Sequence, residues 1–143
     1  MQHINPSDEE VFNLLVNAKT IAMVGASSNP EKTSHGIMKK LQSVGYRVIP
    51  VNPNEAEILG EKCYSSLLDI PEQIDIVDVF RKAETTVPIA EEAIKIKAKA
   101  LWLQSGIINE ETAAIAKRGG LIMIMDECIA VMHAVLKVPS RAK

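Results

Sequence analysis

Two spacings of apolar residues alternate along this chain. Compact apolar runs are separated by longer stretches in which apolar residues recur every three or four positions. The compact runs, at 20–24, 46–53, 74–80, 100–104 and 121–125, are rich in Val, Ile, Leu and Met and read as strands. The longer stretches read as amphipathic helices. In the first, over 5–18, Val11, Leu14, Leu15 and Ala18 share one face. Asn5 can cap it, Pro6 suits the first helical position, and Ser7, Asp8, Glu9 and Glu10 favour the positive helix end. The second starts at a Thr33 or Ser34 cap and turns Ile37, Met38 and Leu41 inward until Gly45 stops it. A third spans 85–98, with Pro88 early, where a missing N–H is tolerated. A fourth spans 109–118, between an Asn109 cap and Gly119-Gly120, and a fifth spans 127–137. A short extra strand is expected at 61–64, and fraying at 139–143.

Regular alternation of strand and helix predicts an α/β fold: a doubly wound, five-stranded parallel sheet with helices on both faces and right-handed crossovers. No repeat, low-complexity segment or linker interrupts the pattern. The 143 residues are expected to form one domain, with an N-terminal helix in 1–18 and a core over 20–136.

Composition narrows the reading. Aromatics make up 3% of the chain, so the core must be aliphatic, as suits a parallel sheet covered on both faces. A formal net charge of -2 gives no basis for a nucleic-acid-binding surface or an acidic-membrane surface. No apolar run approaches the ~20 residues of a membrane span. Met1-Gln2-His3-Ile4 lacks a signal-peptide layout, so the cytoplasm is expected. Cys63 and Cys128 lie far apart and form no CxxC pattern.

In an open parallel sheet a ligand sits beyond the carboxyl ends of the strands, where strand order reverses. The residues just past each strand are therefore the ones that matter. They are Gly25-Ala26-Ser27-Ser28, Asn52-Pro53, Phe80-Arg81-Lys82, Gln104-Ser105-Gly106 and Asp126-Glu127-Cys128. Gly25 permits a tight turn, Ser27, Ser28, Thr33 and Ser34 offer hydroxyls, and the next helix offers unpaired N–H groups to a phosphate. The same residues would also serve as an ordinary strand-to-helix turn. The loop departs from the Gly-x-Gly-x-x-Gly fingerprint, since the next glycine is Gly36, eleven residues on. After the second strand stands Asn52, where an NAD site carries a carboxylate for the ribose. NAD is disfavoured, while NADP remains open because a cation can take its extra phosphate. Lys32, Arg81 and Lys82 all fall at the same sheet edge. Any of them serves equally as a solvated charge, and Lys82 suits that role best. Val79, Phe80 and Val87 could wall an adenine, and Phe80 equally suits the core.

These stretches, above all Val24-Gly25-Ala26-Ser27, Pro50-Val51-Asn52-Pro53, Val77-Asp78-Val79-Phe80-Arg81 and Trp102-Leu103-Gln104-Ser105-Gly106, resemble the small single-domain CoA-binding proteins. That family is similar to the nucleotide-binding N-terminal domain of the succinyl-CoA synthetase alpha subunit. The resemblance covers about residues 10–136 and implies a Rossmann-like fold holding CoA. It implies that Gly25, Ala26 and Ser27 cradle phosphate, with Ser34 and Gly36 at the helix start. Asn52 and Pro53 would border the nucleotide, and Phe80 and Arg81 would flank it. Gln104 and Gly106 would line the far wall, where the pantetheine arm leaves. The synthetase's phosphorylated histidine belongs to a second domain, so neither His35 nor His133 inherits its role. The segment around Asp126 and Cys128 is family-like but departs from the pattern in its glutamate and basic residues.

No catalytic constellation emerges. Cys128 and His133, five apart on a helix, would lie about 140° apart around its axis. Asp75 and Asp78 point to opposite faces of a strand, and no metal-ligand cluster is apparent. The expected function is binding of CoA or an acyl-CoA without catalysis, as a homodimer or with a partner enzyme subunit. The alternatives are an NADP-dependent oxidoreductase and a thiol-exchange protein linking CoA to Cys63 or Cys128.

Overall fold

A computed structural model describes residues 2–141. The main sheet has five parallel strands in the order β2-β1-β5-β6-β7. They are β1 (Thr20–Val24), β2 (Arg47–Val51), β5 (Ile76–Val79), β6 (Ala100–Leu103) and β7 (Ile122–Ile124). Five α-helices accompany them: α1 (Asp8–Asn17), α2 (Thr33–Ser43), α3 (Thr86–Lys95), α4 (Glu110–Arg118) and α5 (Ile129–Val135).

The two-residue period of the strands sorts their side chains into two cores. Ile21, Met23, Ile76 and Trp102 pack with α1, α2 and α5 through Leu15, Met38, Leu41 and Ile129. Ala22, Val77, Val79 and Leu101 pack on the other face with α3 and α4. Those two helices present Ala90, Ala93, Ala113 and Ala116, small enough for close approach, and the buried Thr86 and Thr112 hydroxyls share a 2.7 Å hydrogen bond. The aliphatic, two-faced core expected from composition is therefore present.

Several element ends differ from expectation, each for a local reason. The α1 cap is Ser7, whose Oγ accepts from the Glu10 N–H at 3.2 Å. Asn5 instead behaves like a short strand extension: its amide exchanges two hydrogen bonds with the Met125 backbone, at 2.8 and 3.0 Å. Neither Thr33 nor Ser34 caps α2; both lie inside its first turn, and the capping position is Lys32. The extra strand is β4 (Glu61–Lys62), which forms a hairpin with β3 (Glu57–Ile58). Leu59 and Gly60 turn that hairpin, both at positive φ (48° and 81°), as a tight two-residue turn requires. Tyr64, expected within the same strand, forms a separate parallel bridge with Val51. The last helix begins only at Ile129, because Asp126 takes a left-handed φ of 60° and Cys128 is the capping residue. The tail is tied down through Arg141. Its N–H donates to Val44 O at 2.8 Å, and its guanidinium donates to the Val16 and Ala18 carbonyls. Residues 142 and 143, also expected to fray, lie outside the described residues.

Candidate functional site

β1 and β5 are neighbours in the middle of the sheet, yet the chain leaves β1 for β2 on its other side. Strand order reverses there, so a crevice opens beyond the tips of β1 and β5. Gly25 ends β1 with its N–H donated to Val51 O at 3.0 Å. Its φ is +92°, and a Cβ on it would lie 2.4 Å from the Phe80 carbonyl oxygen. Packing of two adjacent strand tips therefore demands glycine here.

The loop after Gly25 is held in shape by its own neighbours. Asn52 Nδ2 donates to Ala26 O at 2.8 Å, which joins the β2 tip to the loop. His35 Nδ1 lies 2.9 Å from Ser27 O, and since a carbonyl only accepts, the ring proton sits on Nδ1. Ser27 Oγ accepts from Asn29 N at 3.0 Å. Glu55 accepts the Ser28 N–H at 2.7 Å, and the Ser28 hydrogen bonds hold its carboxyl below the usual range. Glu55 is thus a brace for the loop. Nothing local in the sequence signals that role, because the two residues are 27 positions apart. The Ala26 and Ser27 N–H groups donate to no partner within the described chain. The α2 N-terminus has no side-chain cap, whereas Ser7 and Asn109 cap α1 and α4.

These donors surround a cleft of ≈ 400 Å³. It takes Gly25, Ala26, Ser27, Lys32 and Ser34 from the loop and helix start, and Asn52, Phe80 and Arg81 from the neighbouring strand tips. A second depression of ≈ 420 Å³ adjoins it on the α3 face, where Pro53, Leu67 and Ile89 contribute apolar wall. A third, of ≈ 320 Å³, lies toward β6 and α5, with Gln104, Ile37 and Cys128. Arg81 lines all three, so they form one trough along the carboxyl edge of the sheet. Among the described residues its half-buried guanidinium has no ion pair or hydrogen bond. Arg47, by contrast, is held by Glu61 at 3.1 Å and Glu72 at 2.6 Å.

Three expected site residues lie elsewhere. Val79 is fully buried in the α3/α4 core and offers no wall to an adenine, because β5 is an inner strand covered on both faces. Gly36 is exposed on α2, and a Cβ there would meet nothing within 4 Å. Gly106 is exposed beside the trough, its N–H donated to Asp126 Oδ1 at 2.7 Å. Several lining residues were not anticipated. Among them, Leu67 begins a short 3-10 turn (Leu67–Asp69), Ile89 stands on α3, and Ile37 read only as an inward core residue.

The reactive side chains do not converge. His133 is buried against Tyr46 (ring centroids 5.8 Å apart), at the other end of α5 from Cys128, and burial lowers its pKa. Burial raises the Cys63 thiol, whose Sγ donates to Asn52 O at 3.4 Å. Asp75 accepts the Lys19 and Thr20 N–H groups at 2.7 and 3.1 Å, while Asp78 is buried without a partner, so the two act separately. No group of three or more His, Cys, Asp or Glu among the described residues is placed to hold a metal.

A family model described as a CoA binding domain matches residues 19–134. The chain belongs to that family. It is 47% identical over 133 residues to the uncharacterized protein YneT of Bacillus subtilis (strain 168), across 93% of this chain and 98% of that one. It is 30% identical over 123 residues to the ADP-forming acetate–CoA ligase of Methanocaldococcus jannaschii, spanning 80% of this chain but only 18% of the ligase. A hypothetical protein from Pyrococcus horikoshii OT3 has the same fold, with a TM-score of 0.90 and 41% identity, covering 96% of this chain and 99% of that one. The chain thus spans only about a fifth of the length of the ligase that it matches. Among its described residues no helix is long and apolar enough to cross a membrane.

Proposed function

We propose that this CoA-binding domain holds CoA or an acyl-CoA along the trough. The diphosphate sits in the cleft between the Gly25–Ser27 loop and Arg81. There it meets the free Ala26 and Ser27 N–H groups, the uncapped start of α2 and the guanidinium. Lys32, exposed at the rim, adds charge. The adenine lies in the apolar depression by Leu67 and Ile89, and the pantetheine arm runs toward Gln104. One observation carries this reading: an unpaired, half-buried arginine joins three contiguous depressions at the strand-order switch.

The domain acts as a carrier or as the CoA-holding partner of an enzyme subunit, not as a catalyst by itself. A nucleophile–base–orienter set would be needed for catalysis, and the placement of His133 at the other end of α5 from Cys128, with His35 engaged by the Ser27 carbonyl, argues against one. The match to one portion of a CoA ligase supports the partner role.

Thermal shift and calorimetry with CoA test the proposal. A ligand at ~100 times its Kd stabilises the folded state by about 2.7 kcal/mol, so CoA should raise Tm clearly. Arg81→Ala should weaken CoA about tenfold or more, as expected for a lost charged hydrogen bond of about 1.5–3 kcal/mol. Stabilisation by NADP and not by CoA would sink the reading.

A further inference from the structure

The third depression contains more than a CoA arm needs. Gln104 is only 4% exposed, yet it lines that cleft. Its Oε1 accepts the Ile129 N–H at 3.2 Å, which fixes the orientation of the amide and puts Nε2 on the other side. Nε2 has no partner within the described chain and is not among its fully buried unpaired atoms, so this donor, on a side chain that is otherwise buried, opens to the cleft. A ligand acceptor can take this donor in place of water, and an amide carbonyl of a pantetheine arm is one. Ile37, Phe80 and Ile107 provide the apolar wall for the rest of the arm.

Cys128 shares this cleft. It is a free, half-buried thiol at the start of α5, and no hydrogen bond engages its Sγ. Cys63 differs: it is buried, occupied by Asn52 O, and lines none of the three depressions of the trough. Thr33, Phe80 and Arg81 belong to both the phosphate cleft and the Cys128 cleft. An arm leaving the diphosphate therefore enters the compartment that holds a second thiol.

Building on the CoA-binding reading, we propose that Cys128 is a thiol-exchange site that captures CoA as a mixed disulfide. The co-reactant is CoA disulfide. The Cys128 thiolate attacks one of its sulfurs, a Cys128–CoA S–S bond forms, and the original S–S bond breaks. One CoA leaves as thiolate and takes up a proton in place of the one Cys128 lost. One disulfide is exchanged for another, so no external electron acceptor is needed.

The test incubates the full chain with CoA disulfide and follows intact mass without reductant. The expected product carries one CoA less two hydrogens, maps to Cys128, is reversed by dithiothreitol, and still forms in Cys63→Ser. It should form about tenfold faster or more than the adduct with pantethine, the same disulfide lacking the nucleotide. Arg81→Ala should remove most of that advantage. A rise in Tm with CoA but no adduct at Cys128 overturns the exchange site and leaves CoA binding standing. Equal rates with CoA disulfide and pantethine overturn capture directed by the nucleotide. An adduct at Cys63 alone overturns the assignment.

Discussion

Two residues show how differently single positions can be read. Gly25 stands out in the sequence as a turn glycine, but the reason for it is the Phe80 carbonyl, 2.4 Å from where its Cβ would be. That contact joins residues far apart in the chain and only exists once β1 and β5 pair. Asp78 is the opposite case: an acid in an apolar run, which the sequence gives no reason to suspect. It is fully buried, neither carboxyl oxygen has a partner, and desolvation raises its pKa well above the usual value. The folded chain keeps this proton, while the unfolded chain releases it above about pH 4. Asp78 therefore disfavours the folded state increasingly as pH rises from about 4 toward its folded-state pKa. Asp78→Leu removes that dependence. Urea titrations of both proteins from about pH 4 to about pH 8 should show the stability difference moving in favour of the variant as pH rises. Asp75, whose pKa is lowered, loses its contribution as pH falls, but it is common to both proteins and cancels. A pH-independent difference would mean that Asp78 is not protonated in the fold.

At the scale of elements, what is repeated was readable and what depends on partners was not. Five strands and five helices follow from periodicity, because each must bury one face or both. The ends were less visible. Asn5 and Ser7 are both good caps, and what decides between them is Met125, which engages Asn5 from just past β7. The hairpin of β3 and β4 consists of two-residue strands, too short for a period to register. The site divides in the same way. Loop and strand-tip residues such as Ser27, Asn52 and Arg81 were legible because topology sends strand tips to one edge. Leu67, Ile89 and Glu55 reach that edge from a short 3-10 turn, a helix and the segment after β2, and no spacing rule identifies them. The C-terminus shows the same dependence. The last turn of α1 has no basic residue of its own, and Arg141 supplies one from the other end of the chain, over the Tyr46 ring at 5.7 Å. Arg141→Ala should cost about 1–2 kcal/mol in urea unfolding. It should also speed amide exchange where the α1 end meets β1. Unchanged exchange there would show that the tail is not a clasp.

Across the whole molecule, the trough collects its walls from four strand tips, the starts of α2 and α5, the turn at Leu67 and α3, so no single element holds the ligand. The net charge of -2 gives an anion no general attraction. Selectivity must then come from local compartments, and these can be separated by dividing the ligand. 3′,5′-ADP carries the adenine, the 3′-phosphate and one of the two diphosphate phosphates but no arm, and should engage the Arg81 cleft and the apolar depression by Leu67. Only intact CoA should also reach Gln104. Gln104→Glu is nearly isosteric and keeps an oxygen to accept the Ile129 N–H, while replacing the free donor with an acceptor. It should weaken CoA about tenfold, or ~1.4 kcal/mol, in calorimetry and leave 3′,5′-ADP unaffected. Arg81→Ala should weaken both ligands, because the guanidinium borders every compartment. A Gln104→Glu protein that loses both ligands equally would show that the arm does not lie by α5. The Cys128 compartment would then be separate from the nucleotide trough, and the course of the ligand along the sheet edge would have to be redrawn.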